Sequence, residues 1–190
     1  MKDLPGGWVL TKECGWKGLF GVTLLAWGGL LAFELSGWRL AGGLTLTLGL
    51  TVMGWIDSHT GLLPDRGNII LAALALLFLL MGTTVTPVHA VLGCLLGGCL
   101  LLLIRYLSRG GLGLGDVKYG MVLGLWLGWR ALLPALLLAF VSGGLVAGYL
   151  MAAKHCGRRH CLPFGPFLSL GGYLGYLKGG ELWQAYQSCF

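Results

Sequence analysis

The chain has 190 residues, 56% of them hydrophobic and only 11% charged, with a mean hydropathy of +0.82. That balance excludes an ordinary soluble domain and makes lipid the solvent, because the apolar runs leave too little polar sequence between them for a water-exposed core. The net charge of +6 has no contiguous basic face of a soluble fold behind it, so it points to anionic lipid beside short basic loops and away from nucleic acid.

In chain order, Met1 to Lys17 is polar and carries Pro5, Gly6 and Gly7 among its charges. It lacks the short apolar core of a cleavable signal peptide and is expected to be a short cytoplasmic lead-in. A spanning helix needs roughly 20 mainly apolar residues. Apolar spans follow at about 18–36, 40–56, 68–86, 88–107, 117–130, 131–153 and 163–180. They predict an all-α polytopic membrane protein of about seven transmembrane helices, forming a single membrane domain over residues 1–190. Its 35 glycines lie among Leu, Val and Trp, where they let helix backbones approach closely. Trp16, Trp38, Trp55 and Trp129 fall near span boundaries, where amphipathic rings prefer to sit.

Basic residues orient the chain. With the N-terminus in the cytoplasm, one side collects Lys2, Lys12, Lys17, Arg66, Arg105, Arg109, Lys118, Lys154, Arg158 and Arg159. The other side keeps Arg39, Arg130 and Lys178, as the positive-inside rule requires. Asp57 then ends the second span and Asp116 begins the fifth, both on the cytoplasmic side, with the loops at 57–67, 105–118 and 154–162. Acids at a membrane are costly and mark functional sites unless they serve as caps or loop residues. Asp116 alone fits a helix cap.

The surroundings of Asp116 go further. It closes the run Gly110-Gly111-Leu112-Gly113-Leu114-Gly115, whose missing side chains permit a close backbone approach. A helix from Val117 to Trp129 would span only about 20 Å, short of the roughly 30 Å hydrocarbon core, which sets Asp116 below the membrane surface. Gly120, Gly124 and Gly128 recur every four residues and are expected to form a packing stripe.

Gly113-Leu114-Gly115-Asp116 followed by Val117-Lys118 resembles the GxGD motif of the type IV prepilin peptidases. Two further segments share the resemblance. Ile56-Asp57 with the following Leu63-Pro64-Asp65 is similar to the family's first aspartate motif, and Pro163-Phe164-Gly165-Pro166 to its late Pro-Phe-Gly-Pro segment. Three motifs in order are far more specific than a lone GxGD. The resemblance implies that Asp57 and Asp116 are the catalytic pair of an aspartic endopeptidase, with Gly113, Gly115 and Lys118 in the active-site loop. Pro64, Asp65, Pro163, Gly165 and Pro166 become structural. On charge alone Asp65 competes with Asp57, and only the family pattern sets it aside. The implied substrates are prepilins or pseudopilins, cut just after a glycine between a short basic leader and an apolar helix, at the cytoplasmic face of the bacterial inner membrane. No cofactor is implied.

Larger members of that family carry paired Cys-x-x-Cys motifs near the N-terminus and also methylate the new N-terminus. Cys14 stands alone in the corresponding segment, so the expectation is a short, peptidase-only form. His155, Cys156, His160 and Cys161 offer ligands in one loop, but two adjacent His-Cys pairs strain a single tetrahedral site, and no metal is expected. Cys94 and Cys99 read as small packing residues, and Cys189 has no evident partner. His59 is close enough in sequence to tune Asp57, and Lys118 to act on the pair or on a lipid phosphate, although a snorkelling role for Lys118 is simpler. The competing functions are a small transporter or proton-relay subunit using Asp57 and Asp116, and an inactive pilus or secretion assembly protein. The first explains the acids but not the motifs; the second does not explain why both acids are present.

Overall fold

A computed structural model describes residues 16–32, 37–82, 85–152 and 163–188. Among these residues there are six helices and no strand: α1 Trp16–Ala32, α2 Gly37–Thr60, α3 Asp65–Leu80, α4 Pro87–Leu107, α5 Leu114–Ala152 and α6 Gly165–Ser188. The His155–Cys161 loop, the lead-in with Cys14, and Cys189 lie outside the described residues. By length and composition, Gly37–Thr60, Pro87–Leu107 and Leu114–Tyr149 are apolar enough to cross a membrane, and Gly18–Ala32 is a shorter apolar helix.

Local chemistry sets the helix ends. Pro64, with φ of −69°, precedes α3, and Asp65 lies in its first turn, where a carboxylate favours the positive end of the dipole. Pro87 opens α4, where a missing N–H costs nothing. Within α2 the hydroxyls of Thr45, Thr47 and Thr51 donate to the carbonyls of Ala41, Gly43 and Thr47, so they are satisfied without water. The same helix does not stop at residue 56. It continues to Thr60, where Gly61 adopts φ of +65° and donates its N–H to the Asp57 carbonyl at 2.7 Å. Asp57 therefore sits inside the last turn of a helix, and the expected loop start at 57 moves to 61.

The helix α5 is a hairpin. At Gly128 the backbone leaves helical geometry, with φ of 69° and ψ of 167°. Before that point, Tyr119, Leu123 and Leu127 lie against Ser169, Gly172 and Gly175 of α6; after it, Ala131 lies at Gly179, Ala135 at Gly171 and Gly143 at Phe167. The chain runs along α6 and then returns beside it. The expected fifth and sixth segments thus meet at Gly128 rather than at residue 130, and Gly128 both turns the chain and keeps its place in the packing stripe, its backbone carbon 2.8 Å from where a Cβ on Gly93 would stand.

Gly120 and Gly124 do pack, facing Gly97 and Gly93 of α4 with backbone against backbone. Around this seam lies a core that includes Leu50 of α2, Leu101 of α4, Leu123, Trp126 and Leu132 of α5 and Leu168 of α6. The buried indole of Trp126 donates to the Leu71 carbonyl at 3.0 Å, tying α5 to α3. Outward faces remain apolar, with Leu25 79% and Leu80 86% exposed, as suits contact with lipid. Cys99 is on such a face and is no packing residue.

Candidate active site

The end of α2, the start of α3, the start of α5 and the start of α6 converge, and each contributes to the surroundings of two buried acids. Asp57 is 4% exposed and Asp116 9% exposed. From α2, Asp57 accepts a hydrogen bond through Oδ2 from the Gly165 N–H at 2.7 Å. A Cβ on Gly165 would stand 2.6 Å from that oxygen, so only glycine lets the backbone of α6 come close enough to donate. From the first turn of α5, Asp116 reaches back through Oδ2 to the Gly113 N–H at 3.1 Å. This is half of a capping box: the third helical residue satisfies the N–H of the cap residue. The other oxygen, Oδ1, is buried with no hydrogen-bond partner in the protein. The negative charge of Asp57 acts on Asp116, so the two carboxylates share one electrostatic environment.

Packing of the connecting turns brings the acids together. A Cβ on Gly115 would meet Leu63 Cβ at 3.0 Å and Leu63 O at 3.3 Å. The glycine before Asp116 therefore admits the Leu62-Leu63-Pro64 turn that follows Asp57. The Arg105 guanidinium donates to the Leu112 carbonyl and holds the glycine-rich loop to the end of α4. On the α6 side, Pro166 Cα would lie 3.4 Å from a Cβ at Gly54, so α2 and α6 also meet closely. Pro163 and Phe164 precede α6, and the ring of Phe164 packs on Phe140 at 4.9 Å. The three motifs, whose contacting residues lie up to 108 positions apart in sequence, thus meet at one end of the bundle.

Lys118 and His59, both close to the acids in sequence, make other contacts. Lys118 does not face the acids: its Nζ pairs with Asp65 Oδ1 at 2.7 Å, with side chains 51% and 61% exposed. That pair ties the first turn of α5 to the first turn of α3 at the surface. His59 likewise turns to its own helix, where Nδ1 contacts the Trp55 carbonyl at 2.9 Å and the ring packs on Trp55 at 4.2 Å.

Two buried polar residues were missed from the sequence. Tyr119, one turn beyond Asp116, is fully buried, and its hydroxyl shares a 2.9 Å hydrogen bond with Ser169, one turn beyond Gly165. This link braces the two helices behind the acids, and the charge of Asp57 reaches the phenol. Asn68 is 4% exposed, and neither polar atom of its amide has a partner in the protein. The signal in both cases was a polar side chain one turn from a motif residue in an apolar stretch. Among the described residues, no group of three or more His, Cys, Asp or Glu side chains gathers as a metal site.

Comparison with known proteins shows the family. The model of the type IV leader peptidase family matches residues 44–148, more than half of the chain. The chain belongs to the type IV leader peptidase family. Its relatives include the prepilin leader peptidase/N-methyltransferase of Pectobacterium carotovorum subsp. carotovorum, 36% identical over 84% of this chain and 59% of that protein. The protein of the same name from Burkholderia pseudomallei strain 1026b is 41% identical over 78% of this chain and 49% of its own length. That of Aeromonas hydrophila is 33% identical over 81% and 55%. The chain therefore spans between about half and three-fifths of the length of these relatives. No solved structure matches it.

Proposed function

We propose that this chain is a membrane aspartic endopeptidase that removes the short basic leader from type IV prepilins or pseudopilins. The observation that carries the proposal is the buried pair Asp57 and Asp116, each with one oxygen held by a glycine N–H and with Asp116 Oδ1 unpartnered. Two nearby carboxylates favour a state that shares one proton, because like charges resist double ionisation. In that state the ionised acid takes a proton from water while the protonated one donates to the scissile carbonyl oxygen. The water oxygen bonds to the carbonyl carbon, giving a tetrahedral diol. Collapse breaks the C–N bond as the leaving nitrogen takes a proton, and the shared proton returns to the pair. The glycines around the acids serve both to orient them and to leave room for an extended substrate backbone.

The proposal includes the setting. The single domain crosses the bacterial inner membrane about seven times, with α5 counting as two passes. At about 58 Å of helix it is twice the thickness of the hydrocarbon core, and it reverses at Gly128. Arg66, Arg105, Arg109 and Lys118 lie at the end of the bundle that holds the acids, while Arg39, Arg130 and Lys178 lie at the other. That distribution supports an active site at the cytoplasmic face. Co-expression with prepilin-like precursors tests the function: a faster-migrating product with a new N-terminus just after the leader glycine is expected. Precursors left intact beside correctly inserted enzyme would overturn it.

A further inference from the structure

We propose that a cavity at the opposite end of the bundle from the aspartates binds a phosphate group, supplied by the headgroup of an anionic phospholipid. The cavity has a volume of about 220 Å³ and is partly open; its lining includes Arg39, His89, Trp126, Gly128, Arg130 and Tyr176. It is separate from the acids: about 27 Å of helix separates Arg39 from Asp57 in α2, and about 18 Å separates Gly128 from Asp116 in α5.

The chemistry of the lining is that of an anion site. Among the described residues, no Asp or Glu lines it. The ion pairs among the described residues are Lys118–Asp65 and Lys178–Glu181, so no described carboxylate pairs with Arg39 or Arg130. The donors are positioned by the fold. The Arg130 guanidinium lies over the Trp129 ring, 5.5 Å from its centroid, a cation–π contact that restricts the side chain. The Trp129 indole N–H donates to His89 Nδ1 at 2.9 Å, which leaves the proton of the neutral ring on Nε2 as a further donor. The Tyr176 hydroxyl donates to the Arg39 carbonyl at 2.6 Å and pins the start of α2 to α6 at the cavity. Two guanidinium forks match the geometry of phosphate oxygens.

Lipid is the favoured source because the rim is apolar outside and basic inside. Trp38 beside Arg39 is 64% exposed, and Val88 beside His89 is 67% exposed, so acyl chains have a surface to follow. In the proposed orientation this end faces away from the cytoplasm, where Lys and Arg are disfavoured, yet Arg39 and Arg130 both line this one cavity.

The test is thermal unfolding of the purified chain in neutral maltoside micelles with added short-chain phosphatidylglycerol, diacylglycerol of the same acyl length, or inorganic phosphate. Phosphatidylglycerol is expected to raise Tm in proportion to its occupancy, and diacylglycerol to leave Tm nearly unchanged. Inorganic phosphate that alone reproduces the full shift would keep the phosphate chemistry but overturn lipid as the source. Arg39→Gln and Arg130→Gln are each expected to weaken binding about tenfold, whereas Lys178→Gln keeps wild-type affinity. Wild-type affinity in both arginine variants would overturn the site. If a variant fails to fold, the wild-type chain decides: equal stabilisation by phosphatidylglycerol and diacylglycerol refutes a phosphate site.

Discussion

Along the seam between α4 and α5, Gly93 and Gly97 face Gly124 and Gly120, and backbone meets backbone; at the acid end, Gly165 and Gly113 face Asp57 and Asp116, and a backbone N–H meets a carboxylate. Both places depend on a missing Cβ, but the consequences differ. The seam brings helices together by close contact and carries no charge. At the acid end the same absence delivers a hydrogen-bond donor to an ionisable group, so an added methyl changes chemistry before it changes packing. A glycine-rich membrane helix is thus of two kinds, told apart by what lies across from each glycine.

Substitutions at the two places separate these roles. Gly165→Ala puts a methyl 2.6 Å from Asp57 Oδ2, so the acid or the start of α6 must move. Because displacement of a reacting group by about 1 Å costs on the order of 100-fold, a comparable loss in kcat/KM for leader cleavage is expected, with little change in Tm. Gly124→Ala instead forces α4 and α5 apart and should cost about 1–3 kcal/mol of stability, read as a lower Tm, while molecules that remain folded keep most of their activity. A Gly124→Ala protein that is stable but inactive would erase the distinction. The smallest effect belongs to Asp65→Asn, which removes an exposed ion pair with Lys118 worth about 0–1 kcal/mol. Cleavage should stay near wild type, and a dead Asp65→Asn enzyme would place that acid in the catalytic machinery.

The acids and the three motifs were legible in the sequence because each is a short, local pattern of unusual residues in an apolar chain. The all-helical architecture was legible too, from the apolar runs and their punctuation by Pro and Gly. Partners distant in the chain were not. Nothing local marks Lys118 for Asp65, or Tyr119 for Ser169, since those contacts depend on which turns of α3, α5 and α6 come level once packed. Gly128 is the next member of the stripe with Gly120 and Gly124 and meets Gly93 across the seam, but a spacing of four does not reveal that the chain also turns there. Its φ of 69° marks that turn, and the angle follows from the return of α5 along α6.

The most direct measurement of the central claim is cleavage of a purified prepilin-like precursor by Asp57→Asn and Asp116→Asn, with Tm recorded for each protein. Asparagine keeps the shape of the side chain, and its carbonyl oxygen can still accept the Gly165 or Gly113 N–H, but the amide cannot take up or share the proton. Each variant is expected to insert and melt close to wild type while leader removal falls to background. Leader removal near the wild-type rate by either folded variant would contradict it.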